Sequence, residues 1–201
     1  MDWKSSIAGF KAYLQLERSL SVNSIDAYLS DVNKLISYLE LSNLNLSPEK
    51  IDLNHLQGLM QWITELGMNP TSQSRIISGI KAFYKYLLLE DEITSDPTEL
   101  LEAPRTGRKL PEFLSTDEIN DLIGAIDLST PEGERNRAML ETLYSCGLRV
   151  SELIGIHISN IYENDGFIKI IGKGDKERLV PIAQSALRYI NIYRREIRSH
   201  L

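Results

Sequence analysis

Apolar residues recur at helical spacing through most of the first ninety positions, and the breaks between runs mark where one helix ends and the next begins. Over residues 3–17, Ile7, Phe10, Tyr13 and Leu14 step along one side, until Ser19-Leu20-Ser21 interrupts the pattern. Over residues 22–41, Ile25, Leu29, Val32, Leu35 and Leu39 form a stripe behind Ser21, whose hydroxyl suits it to cap a free backbone N–H. Residues 43–50 read as a loop. A third helix is predicted over 54–66, stopped by Gly67, and a fourth over 71–90 with Ile76, Ile80, Phe83, Tyr84 and Leu87 inward.

The pattern changes after Asp96-Pro97. Ala103-Pro104-Arg105-Thr106-Gly107-Arg108-Lys109-Leu110-Pro111 has the proline, glycine and charge of an extended linker, so residues 1–101 are expected to form one helical domain, 102–112 a linker and 113–201 a second domain. The second part opens with a capping box, Ser115-Thr116-Asp117-Glu118, ahead of Ile119, Leu122, Ile123 and Ile126 at helical spacing. A helix over 131–145 follows, with Glu132 and Glu134 where the helix dipole favours anions, and with Gly147 and Leu148 closing its C-terminal end in a Schellman-type turn. Residues 167–171 and 177–182 turn β-like around the glycine-flanked Lys173, and a last helix is predicted over 184–198. The expected fold is mainly α: four N-terminal helices, then an α+β unit with a small β-hairpin.

Composition narrows the setting. The chain is 42% hydrophobic and 25% charged, an ordinary globular balance, and no apolar run approaches the ~20 residues that span a bilayer. No membrane segment is expected, and the opening Met1-Asp2-Trp3-Lys4 lacks a secretory signal, which makes a cytoplasmic location the expectation. The single cysteine, Cys146, excludes an intramolecular disulfide framework and reads as a core residue. A net charge of −6 argues against coating nucleic acid by bulk electrostatics. The charge is uneven, however: residues 1–101 carry 8 Lys and Arg against 13 Asp and Glu, and residues 102–201 carry 14 against 15, ten of those cations being Arg. Arginine suits bidentate phosphate recognition, and it is equally a good helix-surface residue.

Two helix faces and two turns are the candidates for chemistry. Opposite the apolar stripe of the second helix lie Asn23, Ala27, Ser30 and Lys34; opposite that of the fourth lie Thr71, Ser74, Ser78, Lys81 and Lys85. Small hydroxyls beside lysines permit close approach to a phosphate backbone, and an ordinary solvated face has the same pattern. Arg149 follows a helix stop and precedes Ser151-Glu152, so it is expected beside the free N–H groups of a new helix, a place for a phosphate; a structural pair with Glu152 is the alternative. Lys173, between Gly172 and Gly174, sits at a hairpin tip open to close approach, although a plain turn lysine is the commoner case. Other chemistries find less support. The Lys173 turn lacks P-loop spacing, His55, His157 and His200 have no partner at metal-ligand spacing, and no Gly-x-Ser-x-Gly elbow occurs. His157 is expected to be partly buried and satisfied locally.

Taken in order, these segments resemble one family. Arg135-Asn136-Arg137-Ala138-Met139-Leu140-Glu141-Thr142-Leu143-Tyr144 running into Gly147-Leu148-Arg149-Val150-Ser151-Glu152-Leu153, then Gly172-Lys173-Gly174-Asp175-Lys176-Glu177-Arg178-Leu179-Val180-Pro181, is similar to the front of the catalytic domain of tyrosine site-specific recombinases of the Xer type, within the phage-integrase family. Leu20-Ser21-Val22-Asn23-Ser24-Ile25-Asp26-Ala27-Tyr28 and Ile80-Lys81-Ala82-Phe83-Tyr84-Lys85-Tyr86-Leu87 resemble that family's SAM-like core-binding helices. The resemblance covers essentially the whole chain. It implies a four-helix SAM-like DNA-binding domain joined to the front part of an α+β catalytic domain. The implied reaction is a DNA strand transesterification in which a tyrosine attacks the scissile phosphate to give a 3′-phosphotyrosyl link, with no metal or other cofactor. Arg149 would hold non-bridging phosphate oxygens, Lys173 would protonate the departing 5′-oxygen, and Glu152 would support the arginine. Asn23, Ser30, Lys34, Thr71, Ser74, Ser78, Lys81 and Lys85, with Arg105, Arg108 and Lys109 of the linker and Lys176 and Arg178 of the hairpin, would contact DNA. The implied partners are double-stranded DNA with inverted-repeat half-sites and further recombinase subunits in a tetrameric synapse, serving integration or chromosome partition.

One part of the family pattern does not occur in this sequence. The family's active site also draws on a later His-x-x-Arg, a further His or Trp, and the nucleophilic Tyr; no histidine here is followed by Arg three residues on, and no tyrosine matches the nucleophile's motif. The chain is therefore expected to be the N-terminal part of a recombinase, inactive in cleavage alone. A truncated, recombinase-derived DNA-binding regulator and a helical protein-binding adaptor stand as alternatives, the second favoured by the acidic net charge.

Overall fold

The computed structural model describes residues 2–105, 107, 110–172, 174 and 176–200. The chain divides into two compact units, Met1–Lys109 and Leu110–Leu201. The described residues between 102 and 115 carry neither helix nor strand.

The first unit holds α1 (Trp3–Leu16), α2 (Val22–Leu41), α3 (Leu53–Glu65) and α4 (Pro70–Leu89). Each begins on a side chain that satisfies an otherwise free N–H: Asp2, Ser21, Asp52 and Asn69 accept from the backbone of Ser5, Ser24, His55 and Ser72. Gly67, with φ at 74°, supplies the left-handed turn after α3. The apolar stripes converge as their periodicity requires. Phe10, Phe83 and Tyr84 have no exposed surface, and Phe83 meets each of the other two edge to face at 5.4 Å between ring centroids, with Trp3 stacked on Phe83 at 5.9 Å. The polar atoms of these rings are not stranded. Trp3 Nε1 donates to the Leu46 carbonyl at 2.7 Å, and the Tyr84 hydroxyl donates to the Pro48 carbonyl at 3.2 Å.

The second unit holds α5 (Thr116–Gly124), α6 (Pro131–Cys146), α7 (Val150–Ile154), β1 (Ile161–Tyr162), β2 (Phe167–Ile171), β3 (Glu177–Pro181) and α8 (Gln184–Ile192). The Ser115 and Glu118 capping box forms, and Gly147 takes the left-handed conformation at φ 58°, its N–H returning to the Leu143 carbonyl at 2.9 Å. The strands make one antiparallel sheet in the order β1-β2-β3. Alternation along β2 buries Ile168 and Ile170, which with Ile182, Ala186 and Leu187 form a small core. Leu148 packs against this cluster, as does the half-buried Cys146, whose thiol donates to the Pro181 carbonyl at 3.5 Å and whose pKa is raised by burial. Two features depart from expectation. The two-residue β1 is too short to leave a pattern, and the predicted 184–198 helix is α-helical only to Ile192, widening at Tyr193–Ile197 into a π turn. Among the described residues no helix is long and apolar enough to cross a membrane.

Candidate nucleic-acid interface and phosphate site

In the second unit the stop at Gly147 lets the chain turn within two residues into α7, placing Arg149 at the N-cap. Glu152 folds back over that end: Oε2 accepts the Arg149 N–H at 2.9 Å, and Oε1 meets Arg149 Nη1 at 3.2 Å. The backbone N–H of Arg149 is therefore taken. Its guanidinium is not, since 77% of the Arg149 side chain is exposed against 4% of Glu152. The pairing with Glu152 and an outward-facing arginine coexist.

A second arginine completes the cluster. Arg178 stands opposite Ile170 in the β2–β3 register, and directly paired residues share a face of the sheet, so Arg178 points to the side that carries the buried Ile170. From there Nη1 and Nη2 donate to Glu152 Oε1 and Oε2 at 2.8 and 3.0 Å, a bidentate fork. The Arg178 hydrogen bonds, then the Arg149 N–H, hold the Glu152 carboxyl at about 2, so it stays ionised through the neutral range. Gly172 makes room, for a Cβ there would stand 3.2 Å from Arg178 Nη1 and 3.5 Å from Glu152 Oε1. Lys176 is exposed, and its carbonyl closes the hairpin by accepting the Gly172 N–H at 2.8 Å. Lys173, Arg108 and Lys109 lie outside the described residues. His157 corrects its expectation: it is exposed, at the cap of a surface 3-10 turn, Ile158–Asn160. Among the described residues no three His, Cys, Asp or Glu side chains are grouped to hold a metal ion.

The first unit presents a different surface. Asn23, Ser30, Thr71, Ser78 and Lys85 are exposed and Lys34, Ser74 and Lys81 half-buried, on the sides of α2 and α4 away from the core. Lys34 Nζ donates to Ser30 Oγ at 3.2 Å. The hydroxyls of Ser74 and Ser78 turn back onto the carbonyls of Pro70 and Ser74 at 2.9 Å, which draws them against the helix and keeps the face low. Arg105 is exposed beyond α4.

Sequence reasoning missed the seam between these two faces. Asp31 on α2 is 2% exposed, while Arg75 on α4, 44 residues away in sequence, is half exposed; Arg75 Nη1 donates to Oδ2 at 2.9 Å and Nη2 stands 2.9 Å from Oδ1. Burial pushes the Asp31 carboxyl up to about 6, against the pull of Arg75 and Lys34. Gly79, one turn past Arg75, clears the space, since a Cβ there would come within 2.5 Å of Oδ2. A signal for this did exist. Glycine inside a helix costs about 1 kcal/mol relative to alanine, and Gly79 in Ile76-Ile77-Ser78-Gly79-Ile80 has no cap to form, so it marks a close approach.

Two family models match the chain in order: residues 7–91 match the N-terminal SAM-like domain of phage integrases, and residues 112–198 match the phage integrase family. The chain is 36% identical over 195 residues to tyrosine recombinase XerD of Listeria innocua, and 38% identical over 188 residues to XerD of Pseudomonas aeruginosa. These matches cover 97% and 94% of this chain but 66% and 62% of the relatives, so the chain spans a little under two thirds of their length. Among solved structures, a lambda integrase dimer bound to a COC′ core site gives a TM-score of 0.72 at 19% identity over 93% of this chain and 65% of that one. XerH site-specific recombinase bound to palindromic difH substrate gives 0.65 at 22% identity over 94% and 58%. Identities that low show a shared fold alone, whereas the family matches and the XerD identities show descent. A SAM-like helical unit followed by an integrase-family unit, over nearly all 201 residues, places this chain in the phage integrase family, among the Xer-type tyrosine recombinases.

Proposed function

We propose that this chain is the DNA-holding and phosphate-orienting part of a site-specific tyrosine recombinase, which cuts and rejoins DNA through a 3′-phosphotyrosyl intermediate. The observation that carries the reading is Arg149, an exposed guanidinium tied to a buried carboxylate that remains ionised. A guanidinium oriented in advance binds the non-bridging oxygens of a phosphate and grips harder as charge builds there, with no reorganisation at the moment of reaction. Glu152 is its positioning residue. Arg178 has both Nη groups on Glu152 and so locks that carboxylate, while its side chain, 41% exposed, keeps its Nε edge for contact with DNA. Lys173 is assigned as general acid for the 5′-oxygen from its place in Gly172-Lys173-Gly174 of the matched domain. No residue among the 201 is assigned as nucleophile, so a polypeptide of this length binds duplex without cutting it.

Domains 1–101 and 113–201 each contact the duplex, with 102–112 as the linker. Asn23, Ser30, Lys34, Thr71, Ser74, Ser78, Lys81 and Lys85 approach it from α2 and α4, and Arg105, Arg108, Lys109 and Lys176 add phosphate contacts. Inverted-repeat half-sites, a tetrameric synapse and a cytoplasmic setting follow from the recombinase reading. The test is a gel shift of a pool of short duplexes at about 50 mM salt, where phosphate contacts are strong. Wild type shifts part of the pool with no covalent protein–DNA product, and Arg149→Ala and Lys81→Ala each weaken the shift. A chain that shifts no duplex yet retains a protein partner overturns the reading in favour of an adaptor.

A further inference from the structure

Asp31 and Arg75 meet where the polar faces of α2 and α4 adjoin. At 100° per residue Asp31 falls between the buried stripe of α2 and its Ser30/Lys34 face, and Arg75 falls at the edge of the Thr71, Ser74, Ser78 and Lys85 face of α4. We infer that Arg75 reads a guanine in the DNA major groove and that Asp31 is the positioning residue that aims it. This rests on the DNA-binding reading above and adds a base-specific contact to it.

The exposures divide the labour. Half of the Arg75 side chain is open, whereas 2% of Asp31 is, so the carboxylate works from behind and cannot itself meet DNA. A guanidinium carries five N–H donors in one rigid plane. Asp31 engages the two Nη groups, and the Nε edge has no protein partner among the described residues. That free edge has the geometry to pair with the O6 and N7 acceptors of guanine, the commonest specific contact in a major groove. The surroundings let it reach. Ser30, Ser74 and Ser78 are small, and Gly79 gives the Asp31 carboxylate the space to sit beneath α4.

Phosphate binding alone does not account for this arrangement. Lys81 and Lys85 have no carboxylate behind them among the described residues, and none is required to attract a phosphate. Burying a carboxylate is unfavourable, as the upward shift of Asp31 shows, and Oδ1 meets Arg75 as an ion pair without a hydrogen bond. Fixing the plane of Arg75 is what the buried group achieves that a free surface arginine lacks.

The test is selection by the 201-residue chain from duplexes randomised over about 20 base pairs, followed by sequencing, with each variant's fold checked by circular dichroism. Wild type enriches a motif with a fixed G·C pair. Arg75→Lys, which keeps the charge but not the planar fork, loses preference at that pair by roughly tenfold to a hundredfold and keeps its neighbours. Asp31→Asn weakens the same position alone. The double variant Asp31→Asn/Arg75→Gln leaves neither charge stranded and moves the preference to adenine, which glutamine pairs through N6 and N7. If Arg75→Lys does not fold, the double variant decides by the same criterion. An unchanged motif in these variants, or a wild type that retains duplex with no base preference, overturns the inference while DNA binding stands. A wild type that retains no duplex overturns both.

Discussion

Asp31 and Glu152 are both carboxylates with almost no exposed side chain, 2% and 4%, and each holds an arginine, yet they titrate in opposite directions. Among the described residues four hydrogen bonds reach Glu152, from the Arg149 N–H and from three Nη groups, and they carry it down to about 2. Among the same residues one hydrogen bond reaches Asp31, and burial carries it up to about 6 despite the cation beside it. The count and geometry of bonds to the anion decide the sign, not the presence of a positive neighbour. The consequence is functional. Glu152 is a permanent anion suited to holding Arg149 still, whereas Asp31 is a weaker anchor whose hold on Arg75 fades in mild acid.

The contrast can be broken most forcefully at the glycines that make room for each carboxylate. Gly79→Ala drives a Cβ to within 2.5 Å of Asp31 Oδ2 and 2.6 Å of its Cβ, and overpacking of that kind costs about 1–3 kcal/mol, read as a lower urea midpoint. An unchanged midpoint would show that α4 has slack above Asp31. The next effect is on pH dependence. The folded pKa of Asp31 exceeds its ordinary 3.8, so the folded state binds that proton more tightly, and the stabilisation is full at low pH and lost as pH rises from about 4 to 6. Glu152 lies below its ordinary 4.5, so its contribution is present above that value and lost as pH falls toward 2. Unfolding titrations should lose the first slope, about 1 kcal/mol after solvent screening, in Asp31→Asn and the second in Glu152→Gln. Equal slopes in both variants would erase the distinction. Gly172→Ala is expected to matter least, within about 0.5 kcal/mol, because its Cβ would press at 3.2 Å on the movable tip of Arg178. A melting shift as large as that of Gly79→Ala would make the hairpin as tightly packed as the α2–α4 seam.

The helices were legible because each is governed by local rules. Ser21 before a 3.6-residue stripe, Ser115 with Glu118, and Gly147 after α6 all place helix ends to within a residue or two of those observed. Arg149 with Glu152 was legible for the same reason, being one turn apart. What escaped depends on register and on partners distant in sequence. The fork from Arg178 to Glu152 requires knowing that Arg178 pairs with Ile170, and the Asp31–Arg75 seam joins two helices across 44 positions. His157 escaped because a lone histidine near apolar residues carries no sign of which way its loop faces.

The most direct test of the central claim is the salt dependence of duplex affinity, measured by fluorescence anisotropy for wild type and for Lys81→Ala/Lys85→Ala. Each phosphate contact adds about 0.9 to the slope of log affinity against log salt. Wild type is expected to lose affinity steeply with salt and the double variant to show a slope shallower by roughly 1.8, with Arg75→Lys leaving the slope intact. Equal slopes in wild type and the double variant, or no binding even at about 50 mM salt, would contradict the central claim.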